Sequence, residues 1–239
     1  METIQINEVF GPTIQGEGKS AGREVSFVRT AQCNLQCVWC DTPYTWNWIG
    51  TNFEHVSNQK FDKKDEVHYM SADQIFGRLQ ELGPKSIVIS GGEPLIQHRQ
   101  LTFLLEMLKV DNYWVEVETN GTVYPNERFL ELVDQINCSP KLANSKNTAI
   151  KREKPEVLFK LAQHPKVNFK FVVSSANDVE EIQYFVRTYK MKEVYLMPLG
   201  MTVPELNKTT NLTKIICEHQ GFHFSDRIHI TKLGGGRGV

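Results

Sequence analysis

The chain has 239 residues, 40% of them hydrophobic and 23% charged, which is enough for one sizeable core of ordinary globular composition. Its 27 basic and 28 acidic residues leave a net charge of −1 with no long run of either sign, so neither nucleic acid nor anionic lipid is expected as the main partner. No segment reaches the length of a membrane span, and METIQINEVF lacks the basic start and apolar core of a signal peptide, so a cytoplasmic protein is expected, with residues 1–239 as one domain.

In chain order, Glu24–Arg29 (EVSFVR) reads as the first buried strand, followed by a cysteine-bearing loop at 31–46 and a polar stretch, about 47–68, that has no period and reads as a long loop. Ser71 with Gln74 three residues on makes a capping box for a helix that stops at Gly83-Pro84. Strands at Ser86–Ser90, Tyr113–Glu118, Asn168–Val173, Glu193–Met197 and Arg227–Ile230 then alternate with helical periodicity at Leu101–Leu108, Phe129–Ile136, Val179–Tyr189 and Leu212–His219. Strands joined by single helices need crossover connections, hence a parallel sheet with helices outside it, and about six units fall short of the eight of a closed barrel. The expected α/β fold is a partial (incomplete) parallel β/α barrel.

Five cysteines, three of them crowded at Cys33, Cys37 and Cys40, argue against a disulfide framework. Thiolates so spaced suit zinc or an iron–sulfur cluster, but a closed zinc site takes four protein ligands, and no fourth cysteine or histidine follows nearby. Cys138 and Cys217 read as core residues, since a free cysteine behaves as a small hydrophobe. Three thiolates on a [4Fe–4S] cluster leave one iron open to a substrate.

The spacing C-x3-C-x2-C, with Trp39 before the last cysteine, resembles the radical S-adenosylmethionine (SAM) superfamily. The resemblance implies that SAM chelates the open iron through its amine and carboxylate, and that electron transfer from the cluster then cleaves SAM to a deoxyadenosyl radical. SGGEP (Ser90 to Pro94) after the strand SIVIS supports it, with glycines that allow close approach and Glu93 as an acceptor for the methionine ammonium. ETNGT (Glu118 to Thr122) sits at the same rim, either facing the ligand or forming a plain Asn-Gly turn.

TIQGEG, the FVR strand, CDT, CSPKL and the ending RGV extend the resemblance over nearly the whole chain to the 7-carboxy-7-deazaguanine synthase family. That resemblance implies a lyase of queuosine and 7-deazapurine biosynthesis, which contracts the ring of 6-carboxy-5,6,7,8-tetrahydropterin with loss of ammonia and regenerates SAM. It further implies Mg2+ at Thr42, a homodimer, and an electron donor such as flavodoxin or ferredoxin. By the same resemblance SAM meets Trp39, Cys40, Asp41, Gly92, Glu93, Ser139, Pro140 and Lys141. The pterin meets Ile14, Gln15, Gly16, Glu17, Arg29, Ser90 and Val239.

The residues themselves suit a pterin: Gln15 offers a donor and an acceptor, Glu17 accepts N–H groups, and Arg29 can pair with a carboxylate. Trp46 and Trp48 either cover the cluster or pack the loop, and the seven histidines, without metal spacing, read as surface or hydrogen-bonded core residues. RIHI is expected to deliver the glycine-hinged tail GGGRGV to the ligand rim. Two other readings stay open. A radical SAM enzyme acting on a protein would share the cluster and GGEP, and a non-catalytic metal-binding protein would need a fourth ligand.

Overall fold

The structure is a computed structural model that describes residues 2–238. Among the described residues nine strands form one sheet: β1 (Ile4–Ile14), β2 (Glu24–Thr30), β3 (His68–Met70), β4 (Ser86–Gly91), β5 (Trp114–Thr119), β6 (Gln135–Cys138), β7 (Val167–Val173), β8 (Val194–Pro198) and β9 (His223–Phe224). Their order is β3-β1-β2-β4-β5-β6-β7-β8-β9, and the two edges do not pair with each other. From β2 to β9 every neighbouring pair is parallel, whereas β1 runs antiparallel to both β2 and β3. The expected partial barrel is therefore present, extended by an antiparallel pair of strands at one edge.

The parallel strands are buried on both faces, as a sheet under crossover helices requires. Period-two alternation sends Ile87, Ile89, Val115, Val117, Phe169 and Phe171 outward into the main core. The same core holds Leu101, Leu104, Leu105 and Leu108 of the helix His98–Val110, while Phe171 packs edge-on against Phe185. The alternate residues Ser90, Glu118, Asn137 and Lys170 point the other way and line the concave side of the sheet. Alternation along β5 to β7 thus makes a helix-packed outer face and a polar inner one from the same short strands.

The helix Ala72–Leu82 is capped as expected: the Ser71 hydroxyl accepts from the Gln74 backbone N–H at 3.2 Å, and the Gln74 side chain accepts from the Ser71 N–H at 2.9 Å. Val203–Gln220 runs longer than its apolar pattern and ends at Gly221, whose φ of 71° is the left-handed cap glycine favours.

Two expectations fail. RIHI is not a strand; Ile228–Thr231 is one helical turn, with the Ile228 N–H donating to the Gly16 carbonyl at 2.9 Å. The helix expected over Phe129–Ile136 covers Glu127–Leu132 only, and Gln135–Cys138 is β6. The stretch 47–68 is a long loop as expected up to its closing turn of helix, Lys63–Glu66, and is tied to itself: Lys60 Nζ donates to Asn47 Oδ1 at 2.6 Å and to the Phe53 carbonyl at 2.7 Å.

Candidate active site

The concave face of the sheet, the cysteine loop and the last turns of the chain enclose one cavity of about 430 Å³. Cys33, Cys37 and Cys40 all line it, and N–H donors from different elements point at their sulfurs. Asn147 Nδ2 donates to Cys37 Sγ at 3.3 Å, Trp46 Nε1 to Cys40 Sγ at 3.4 Å, and the Leu35 backbone N–H to Cys33 Sγ at 3.5 Å. Burial pushes all three thiols up, Cys37 to about 12, with neighbouring cysteine sulfurs adding to the rise at Cys33 and Cys37.

Left to themselves these groups keep their protons, and a bound metal displaces them. N–H groups aimed at sulfur suit ligands that carry negative charge. Among the described residues no fourth cysteine lines the cavity, since Cys138 and Cys217 lie in the core. The donor set therefore fits a [4Fe–4S] cluster held by three thiolates with one iron open.

The two tryptophans divide the roles left open by the sequence. Trp46 is buried against Cys40 Sγ, whereas Trp48 donates to the Tyr44 carbonyl at 3.1 Å and packs the insertion. His55 Nε2, also from the insertion, meets the Cys40 carbonyl at 2.8 Å. The polar stretch thus braces the cysteine loop.

The SGGEP turn lies directly over that loop. The Gly92 N–H donates to the Thr30 carbonyl at 3.1 Å and the Glu93 N–H to the Gln32 carbonyl at 2.9 Å. A Cβ on Gly92 would stand 2.0 Å from the Gln32 carbonyl oxygen, so the glycine is required by the crossing of two backbones. Glu93 does not line the cavity. It is fully buried, and its carboxylate accepts from the backbone N–H groups of Leu95 and Asn120, at 3.0 and 2.6 Å, and from Thr119 Oγ1 at 2.8 Å. ETNGT does two jobs: Glu118 faces the cavity, while Asn120 and Thr122 bond Asn34 of the cysteine loop at 2.9 and 2.8 Å.

Of the other expected SAM contacts, Trp39, Asp41, Ser139 and Lys141 line the cavity and Pro140 does not. Ile14, Gln15, Gly16, Glu17, Arg29, Thr42 and Ser90 line it as well, and Val239 lies outside the described residues. Arg29 Nε donates to Glu8 Oε1 at 2.7 Å, leaving its terminal nitrogens without a hydrogen-bond partner among the described residues.

Three side chains that the sequence reading missed hold the middle of the cavity. Lys170 Nζ donates to Glu17 Oε2 at 2.5 Å, and Arg227 Nε donates to Glu17 Oε1 at 2.9 Å. Arg227 also pairs with Asp41, and His229 Nε2 stands 3.8 Å from Glu17 Oε1. Burial alone would raise the Glu17 and Asp41 carboxyls, yet the adjacent cations hold both below the usual carboxylate range. Lys170 keeps its proton although buried, because Glu118 and Glu17 flank it. Glu17, Asp41 and His229 could together offer ligand atoms to a cation, all within 4.8 Å of one another, and Thr42 lies at the same wall. The two carboxylates, and not the His229 nitrogen, are the donors that fit Mg2+, although both are already balanced by Lys170 and Arg227.

The signal for Lys170 was available: a lysine inside the apolar run NFKFVV has to meet a partner charge once the strand is buried on both faces. His229 had no such signal, and its reading as a surface or core residue is corrected by the helical turn that brings it to the cavity.

An open, mostly parallel sheet with three cysteines at its rim defines the class, and the radical SAM superfamily model matches residues 27–154. A 7-carboxy-7-deazaguanine synthase from Pyrobaculum aerophilum is 35% identical over 239 residues, covering 98% of this chain and 97% of that relative. One from Bacillus subtilis is 33% identical over 199 residues, 81% of this chain and 75% of the relative. Among solved structures, QueE from Escherichia coli aligns with a TM-score of 0.68 and 26% identity, covering 94% of this chain and 93% of that one. The chain belongs to the 7-carboxy-7-deazaguanine synthase family.

Proposed function

We propose that this chain contracts the ring of 6-carboxy-5,6,7,8-tetrahydropterin to 7-carboxy-7-deazaguanine with loss of ammonia, as a radical SAM lyase of queuosine and 7-deazapurine biosynthesis. The observation that carries the reading is a shared cavity: cluster cysteines form one wall, and Gln15, Glu17 and Arg29 form another. When bound, the cluster and SAM supply the one-electron chemistry that starts the reaction, and Mg2+ at Thr42 supplies charge for the rearrangement.

The chain's own residues bind and orient. The free terminal nitrogens of Arg29 suit the substrate carboxylate, for which a planar guanidinium is the matching donor. Glu17 and Gln15 suit the guanine-like edge of the pterin. Trp39, Asp41, Ser139 and Lys141 are the residues we assign to SAM, with Gly92 shaping the turn beside it. Glu93 supports that turn from behind, where its carboxylate ties SGGEP to ETNGT. Val172, Met197 and Leu199 supply an apolar wall that excludes water from the reacting centre.

We read residues 1–239 as a single radical SAM domain working as a cytoplasmic homodimer, with flavodoxin or ferredoxin as donor. Among the described residues no helix is long and apolar enough to cross a membrane. The test is anaerobic reconstitution with iron and sulfide, then incubation with SAM, reductant and the carboxytetrahydropterin. Mass spectrometry should find the deazaguanine product. A reconstituted protein that binds SAM and cleaves it but leaves the pterin untouched would point to another radical SAM reaction.

A further inference from the structure

One carboxylate on the inner face of the sheet has no part in the chemistry described so far. Glu116 is fully buried, does not line the cavity, and among the described residues accepts hydrogen bonds only from neutral groups. Its Oε1 accepts from Gln15 Nε2 and from Asn137 Nδ2, both at 2.6 Å. Its Oε2 accepts from the Ser20 hydroxyl and from Gln135 Nε2, the latter at 3.1 Å. Gln15 Nε2 also donates to Glu118 Oε1 at 3.2 Å.

A glutamine amide looks nearly the same either way round, and a free one could offer its donor or its acceptor end to a ligand. Here the choice is removed. An ionised carboxylate has no hydrogen to give, so the Gln15 nitrogen must face Glu116 and Glu118, and both its N–H bonds are engaged. The amide oxygen is left as the functional end, with the Glu17 backbone N–H at 3.3 Å as its protein partner among the described residues.

We infer that Glu116 is a positioning residue that, with Glu118, locks the Gln15 amide so that it presents an acceptor to the substrate. A lock of this kind confers specificity. A ring with an N–H at that place is bound, while a ring with a lone pair there meets a carbonyl oxygen that cannot turn away. The inference rests on the reading of Gln15 as a substrate contact.

The test is steady-state kinetics of the reconstituted holoenzyme with the carboxytetrahydropterin, SAM and a chemical reductant at about pH 8, above the value of about 7 to which burial and the neighbouring Glu118 push the Glu116 carboxyl. Glu116→Met removes the acceptor at similar volume, Glu116→Asp withdraws it by one methylene, and Glu116→Gln keeps an acceptor oxygen where Oε1 stands. The first two should raise KM about tenfold with kcat within about threefold of wild type, and Glu116→Gln should stay within about threefold on both. Combining Glu116→Met, or Glu116→Asp if the former does not fold, with Gln15→Met should raise KM no further than Gln15→Met alone.

Unchanged KM in the first two variants would overturn the inference. So would a Glu116→Gln enzyme as impaired as Glu116→Met, since charge and not acceptor geometry would then matter, or effects that multiply in the double variant. A wild-type enzyme without turnover would sink the proposed function and this inference together, whereas normal wild-type turnover with unaffected variants would sink the inference alone.

Discussion

Glu17 is a motif residue whose surroundings differ from what its motif suggests. A glutamate between glycines in TIQGEG looks unpartnered, but each of its oxygens already accepts from a buried cation, Lys170 at 2.5 Å and Arg227 at 2.9 Å, which leaves one lone pair on each for a ligand. Removing one partner of a buried ion pair strands the others, at a cost of about 3–5 kcal/mol. Glu17→Gln should therefore lower stability by that order at neutral pH, besides weakening substrate use. Burial opposes the Glu17 charge, yet Lys170 and Arg227 hold its carboxyl below the usual range, so the folded value lies under the unfolded one. Its contribution is present above about pH 4.5 and is lost as acid carries the protein through the folded value. Urea titrations of both proteins over a pH series should show the gap between them closing from about pH 4.5 downward. Parallel curves across the series would mean that Glu17 is not held by these cations.

Among the elements, the carboxyl-terminal segment and the insertion at 47–68 work as a pair. Arg237 lies over the Tyr44 ring at 3.9 Å and donates to Glu66 Oε1 at 2.7 Å, and Glu66 Oε2 accepts in turn from Asn7 Nδ2 at 2.8 Å. The tail is thus docked at the cavity mouth, beside Gly235 and Gly236, which line it. Deleting residues 237–239 should lower kcat/KM for the carboxytetrahydropterin at least tenfold, about 1.4 kcal/mol of transition-state binding, with cluster content unchanged. Full activity in the truncated enzyme would leave the docked tail without a role in catalysis.

The same elements show what the sequence made legible. Strands β2, β4, β5, β7 and β8 announced themselves because each is a short apolar run bounded by turns. β1 did not, since Gly11-Pro12 interrupts its alternation and its pairing with β2 shifts register between Phe10 and Thr13. RIHI carried a strand-like pattern too short to separate a strand from a helical turn, and that misreading hid His229. The cysteine triplet, Gln15, Glu17 and Arg29 were legible through their motifs. Lys170 and Arg227 depended on tertiary placement, because each is fixed by a carboxylate more than a hundred residues away in the chain.

At the scale of the whole molecule, the open sheet turns its concave side into a cavity with two chemically distinct walls. One wall presents three cysteine sulfurs cushioned by N–H donors, and the other presents Gln15, Glu17 and Arg29, which we assign to the heterocycle and its carboxylate. The central claim is that these walls hold SAM and the pterin close enough for a hydrogen atom to pass between them. The most direct measurement uses carboxytetrahydropterin deuterated at C6, turned over by the reconstituted enzyme, with the recovered SAM analysed by mass spectrometry. Deuterium should appear in SAM, and SAM should not be consumed in proportion to product. Product formed with unlabelled SAM, or SAM consumed one for one, would contradict the account.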